Sequence, residues 1–119
     1  MRVQGQTWWI IGASEGLGRA LAEALDQEGA SLILSARSKD RLSALCDRLR
    51  DAQALPMDVT DARSVLAASE AASDADGVIY CAGLYDPMTV QDWEPEAAEA
   101  ICEVNFMGAM RVMGRVAPR

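Results

Sequence analysis

The chain contains no histidine, a single lysine (Lys39) and a single asparagine (Asn105). Without an imidazole to join them, the three widely spaced cysteines, Cys46, Cys81 and Cys102, form no metal-ligand set. Their odd number also excludes a disulfide framework and predicts buried free thiols, as in a reducing cytosol. Positive charge is scarce. Eleven Lys and Arg against 18 Asp and Glu leave a formal charge of −7. That balance excludes nucleic acid or an anionic membrane as a bulk partner, while allowing a small basic site for one anionic ligand. No apolar run approaches the roughly 20 residues of a membrane span. The N-terminus lacks the charged start and long apolar run of a secretion signal, so a cytoplasmic location is expected.

What is present is enough for one globular domain. Half of the 119 residues are hydrophobic and about a quarter are charged, and a chain of this length can bury a real core. Thr7 to Ile11 (TWWII) is an almost wholly apolar run between Gly5 and Gly12, suited to a strand buried on both faces. From Leu17 to Glu28 the apolar positions fall three and four apart, a helix period. Ser31–Ala36 reads as a second strand. Ser38 then caps a helix with Leu42, Leu45 and Leu49 on one stripe. Gln53–Met57 is a weaker strand, interrupted late by Pro56. Thr60 or Asp61 caps a third helix through about Ser73, and Gly77–Cys81 (GVIYC) is a fourth strand. Glu94-Pro95 opens a last helix that carries Ile101, Val104, Met107, Met110 and Met113. The β-α-β-α-β-α-β-α order predicts an α/β fold: a parallel, Rossmann-like sheet of about four strands with helices on both faces.

The stretch "IIGASEGLGRALAEAL" places three glycines between the first strand and its helix. A helix entered this way aims its unpaired N–H groups, and the positive end of its dipole, at one spot that favours anions. Glycine permits the tight turn at Gly12, close backbone approach at Gly16 and close helix–strand packing at Gly18. The βαβ context is the one in which such a triplet binds a dinucleotide. No Lys-Ser/Thr follows the glycines, so a P-loop is excluded.

The spacing of "GASEGLG" resembles the cofactor turn of the short-chain dehydrogenase/reductase family in its compact form. "SARS" after strand two, "MDVTD" after strand three, "CAG" after strand four and "VNFMG" in the last helix follow in the family's order. The resemblance implies that residues 1–119 are an NAD(P)-binding domain with strand order 3-2-1-4. It places the dinucleotide on Gly12, Ser14, Gly16, Leu17 and Gly18. Arg37 follows strand two, with Ala36 rather than an acid before it. This implies pairing with the 2′-phosphate of NADP, with NAD the lesser expectation, and Ser38 can add a hydroxyl. Glu15 works against that phosphate if it points inward. The resemblance sets Asp58 and Val59 beside the adenine, Asp58 at its exocyclic amine. Ala82 and Gly83 match the end of the family's N-N-A-G motif, although Tyr80 and Cys81 replace its asparagines and Ile11 replaces its usual threonine.

Asn105 corresponds to the family's proton-relay asparagine. As an amide among apolar neighbours it is expected to face inward and find hydrogen-bond partners, with a helix kink near Asn105 and Gly108 as the competing reading. The family's reaction uses a tyrosine with a lysine four residues on, and a serine. Tyr80 and Tyr85 are followed at that spacing by Leu84 and Thr89. The expectation is therefore the cofactor half of an NADP(H)-dependent oxidoreductase, C-terminally truncated relative to the family and inactive alone. The alternative is a stand-alone dinucleotide-binding or interaction module without catalysis. The apolar "GVIYC" favours a missing neighbour strand and self-association, since an exposed apolar edge invites pairing.

Overall fold

The computed structural model describes residues 2–118. In chain order the elements are β1 (Thr7–Ile11), α1 (Gly16–Gln27), β2 (Ser31–Ser35), α2 (Lys39–Cys46), β3 (Ala52–Ala54), α3 (Ala62–Ala71), β4 (Gly77–Tyr80) and α4 (Pro95–Cys102). A π-helical segment, Glu103–Gly108, then leads into α5 (Ala109–Val116). The strands form one parallel sheet in the order β3-β2-β1-β4, as expected.

Strand alternation sends successive side chains to opposite faces, and both faces are covered. Ile10, Leu32 and Leu34 meet Ala22 of α1 and Leu42 and Leu45 of α2. Trp9, Ile11 and Ile33 meet Val65 and Ala68 of α3 and Val112 of α5. Trp9 is fully buried, and its indole Nε1 donates to Ser35 Oγ at 2.8 Å. One bond thus satisfies two polar groups that the core would otherwise isolate. Ser38 caps α2 by accepting from the Arg41 amide at 3.3 Å. Of the two candidate caps for α3, Asp61 serves, accepting from the amides of Arg63 and Ser64 at 3.0 and 3.4 Å.

Four expectations need correction. The third strand pairs over Ala52–Ala54 instead of Gln53–Met57. Beyond it the amides of Leu55 and Met57 still reach the carbonyls of Leu34 and Ala36, at 2.8 and 3.0 Å. Pro56 between them has no N–H to give. Helix α2 ends at Cys46, so Leu49 leaves the helical stripe and packs against the core from the turn that follows. The last helix is not one regular α-helix, because the π-helical segment interrupts it. The wider turn brings Gly108 onto the sheet, where a Cβ would strike Tyr80 Oη and lie 2.8 Å from Val59 Cγ2. The cysteines are free but not buried. Cys46 and Cys81 are half-buried, and Cys102 is exposed on α4, which has no buried residue.

Every residue of β4 is only half-buried, and β4 forms the edge of the sheet. The last helical run also leaves apolar side chains in solvent, with Phe106 61%, Met110 52% and Met113 57% exposed. Among the described residues no helix is long and apolar enough to cross a membrane.

Candidate functional site

The segments that leave the carboxyl ends of all four strands converge on one cleft of about 560 Å³. The turn after β1 contributes Gly12, Ser14, Gly16 and Leu17, and the segment after β2 contributes Arg37 and Ser38. Asp58 and Val59 come from beyond β3, and Ala82 and Gly83 from beyond β4. Of the residues singled out in the sequence, Gly18 and Asn105 are not among those lining the cleft.

The three glycines divide the work of the turn. Gly12 has φ +89°, and a Cβ on it would stand 2.5 Å from the Ala82 amide nitrogen. Backbone of the first and fourth strand ends therefore meets with no room for a side chain. Gly18 lies beneath the turn, where a Cβ would overlap the Gly12 carbonyl oxygen, so its part is helix–strand packing. Gly16 faces open space, with nothing within 4 Å of a Cβ position. Helix α1 starts after Glu15 with no side-chain cap. The donors of its first turn are thus free of a side-chain acceptor at the cleft.

Glu15 does not stand alone. Its carboxylate lies 3.6 Å from Arg41 Nη1, so its charge is partly matched. Arg41 itself lines the cleft, as do Thr60 and Met57. Sequence reasoning missed all three residues. For Arg41 a signal existed: it lies one helical turn beyond Arg37 and follows the Ser38 cap by three residues, which returns it to the same end of the sheet.

Asp58 uses Oδ1 locally, accepting from Thr60 Oγ1 at 2.7 Å and from the Thr60 amide at 3.0 Å. Those bonds from Thr60 hold its carboxyl below the usual value, and the cations Arg37 and Arg111 add to the effect against a desolvation cost. Asp58 is therefore an anion in a turn it helps to shape. Its own amide donates to Ser64 Oγ at 2.9 Å. Cys81 lines the cleft, its thiol pushed up by burial.

Asn105 is exposed instead of facing inward. Its Oδ1 accepts from the Leu84 amide at 2.7 Å, and its Nδ2 donates to the Leu84 carbonyl at 2.9 Å. The amide found backbone partners in the loop that follows β4, so it needed no core position. That outcome combines the expected partners with the competing expectation of a distorted helix. Tyr80, in place of an asparagine, donates its hydroxyl to the Val104 carbonyl at 2.5 Å. Burial raises its pKa, against a smaller opposing pull from Arg111.

A family model described as short chain dehydrogenase matches residues 6–119. The chain is 28% identical to an uncharacterized oxidoreductase of Staphylococcus haemolyticus, a match covering 98% of this chain and 53% of that protein. It is 35% identical to an oxidoreductase of Botryotinia fuckeliana, over 93% of this chain and 43% of that protein. Among solved structures, a gluconate 5-dehydrogenase from Burkholderia cenocepacia in complex with NADP and tartrate is similar with a TM-score of 0.84 and 26% identity. That likeness covers 98% of this chain and 49% of the other. A short-chain type dehydrogenase/reductase from Mycobacterium ulcerans shares the fold, with a TM-score of 0.92 and 24% identity over 99% of this chain and 47% of the other. The chain spans about half the length of the curated relatives it matches.

Proposed function

The chain belongs to the short-chain dehydrogenase family, and from that premise we propose that it is the NADP(H)-binding portion of an oxidoreductase acting between a carbonyl and an alcohol. The observation that carries the reading is the uncapped start of α1 behind Gly16, with Arg37 and Arg41 on the same cleft. The donors of the first turn of α1 hold the pyrophosphate, and open space at Gly16 lets it approach. Arg37 and Arg41 hold the 2′-phosphate, and Ser38, whose oxygen accepts from Arg41, keeps its hydroxyl proton to donate. Asp58 takes the adenine amine with the carboxylate oxygen that Thr60 leaves free, beside Val59. Ala82 and Gly83 support the ring at the far end. The bound cofactor supplies the hydride.

A proton donor is the part this reading assigns elsewhere. The Tyr80 hydroxyl is engaged by the Val104 carbonyl, and Lys39 begins α2, on the Arg37 side of the cleft. By this reading the chain alone turns over no substrate. The place of Asn105 in a proton relay rests on the resemblance; its amide, with both ends on Leu84, sets where that backbone runs. The setting is cytoplasmic, in keeping with three free cysteines.

A crystal structure with NADPH tests the proposal. The expected complex has the pyrophosphate against the first turn of α1 and the 2′-phosphate between Arg37 and Arg41. A dinucleotide bound away from this cleft would overturn it, and none bound at saturating concentration would overturn it and favour an interaction module.

A further inference from the structure

The wall of the cleft at Val59 is held from behind. Arg111, on α5, donates from Nη1 to the Val59 carbonyl at 3.1 Å and from Nη2 to Glu103 Oε2 at 2.8 Å. One guanidinium thereby joins the loop leaving β3 to the π-helical segment. Lysine carries its three donors on one nitrogen at the end of a flexible stem and does not reproduce the spaced Nη1 and Nη2 of the rigid fork. The Arg111 side chain is 23% exposed, so these bonds are partly shielded from competing water. The contact is tight because of Gly108, whose Cβ position would lie 2.9 Å from Val59 Cβ. The anchor of α5 in the core is a different residue, the fully buried Val112. Arg111 is therefore tied to the cleft wall rather than to the packing that holds the helix down.

We propose that Arg111 is a positioning residue for the adenosine end of the dinucleotide, fixing the Val59 wall by bridging its carbonyl to Glu103. The proposal rests on the cofactor reading above. It acts on the loop, whose local order comes from the Asp58–Thr60 bonds, and touches no ligand itself. The guanidinium fixes where that pre-shaped turn sits relative to the sheet.

The test uses the full chain as wild type, Arg111→Ala and Arg111→Lys, with two readouts. Amide hydrogen exchange follows Thr60 and Asp61, whose N–H groups both bond to Asp58. Calorimetry follows NADPH and 2′,5′-ADP, which carries only the adenosine end. In Arg111→Ala, exchange at Thr60 and Asp61 is expected to rise about ten-fold, the worth of one bond from a charged donor, while the Trp9 and Leu34 amides stay protected. Affinity for both ligands falls by a similar factor, and lysine restores it only in part. Faster exchange throughout the core would mean a merely structural role and overturn the proposal. So would unchanged affinity in an Arg111→Ala protein whose parent binds. A wild-type chain that binds neither ligand would overturn the cofactor reading itself, and this proposal with it.

Discussion

Replacing each of two glycines in one turn by alanine should give opposite results. At Gly18 the new Cβ overlaps the Gly12 carbonyl oxygen and lies 2.8 Å from the Gly12 carbonyl carbon and 3.2 Å from Ala13 Cα. All of these are backbone atoms, so no flexible side chain can yield, and α1 must move away from β1. Such overpacking costs about 1–3 kcal/mol, and rigid partners put this site at the upper end. The better helix propensity of alanine, about 1 kcal/mol, offsets part of it. A net loss of roughly 2 kcal/mol is a large share of the 5–15 kcal/mol stability of a typical domain. At Gly16 nothing lies within 4 Å, and the cost is the left-handed conformation at φ +59°. That costs about 1–2 kcal/mol, reduced by the lower entropy of the unfolded chain. In the proposed complex the new methyl stands in the open space through which the pyrophosphate would reach the first turn of α1. Urea unfolding and NADPH titration of both variants separate the two effects. Gly18→Ala should unfold at clearly lower urea. Gly16→Ala should lose only about 1 kcal/mol of stability while losing at least ten-fold in cofactor affinity. A Gly18→Ala protein as stable as wild type would refute the packing argument, and a Gly16→Ala protein that binds normally would refute the close-approach argument.

Other outcomes follow from single contacts. Ser35→Ala strands the buried Trp9 indole N–H, and should cost about 1–3 kcal/mol in urea unfolding; no loss would mean that the bond is idle. The Asp58 carboxyl is held below its ordinary 3.8, first by Thr60. Its contribution to stability is therefore full above the unfolded value and lost as pH falls through the folded one. Asp58→Asn should be less stable than wild type at neutral pH and show a flatter loss of stability below pH ~4; parallel profiles would contradict the shift. With Phe106, Met110 and Met113 more than half exposed, light scattering after size exclusion should show species larger than one chain, and a monodisperse monomer with a sharp melt would favour the stand-alone module.

Much of this architecture is written locally. TWWII and SLILS are apolar on both faces, which only a covered parallel sheet accommodates, and Ser38 and Asp61 announce the helix starts they cap. The glycine turn is equally plain, because Gly12 and Gly18 are required by backbone contacts that no other residue tolerates. What escaped the sequence depends on partners far along the chain. The apolar period of the last helix runs on through Glu103–Gly108, and only the competing reading of a kink near Asn105 and Gly108 anticipates an interruption at what is a π-helical turn. That turn follows from Gly108 seating against Tyr80 and Val59, and from Asn105 finding Leu84, 21 residues away. Asn105 was expected inward because its neighbours are apolar, yet Phe106 and Met107 are exposed as well. Arg41 was missed although its spacing from Arg37 and from the Ser38 cap offered a signal.

The central claim is that this cleft holds a dinucleotide with a 2′-phosphate. Calorimetric titration of the chain with NADPH and NADH, repeated with Arg37→Ala, tests it most directly. A charge-assisted phosphate contact contributes roughly 1.5–3 kcal/mol, so NADPH should bind at least about ten-fold tighter than NADH. Arg37→Ala should reduce that difference by weakening NADPH alone, what remains resting on Arg41. Equal affinities in the wild type would remove Arg37 from the site, reopen NAD as the cofactor and contradict the claim, as would binding of neither dinucleotide.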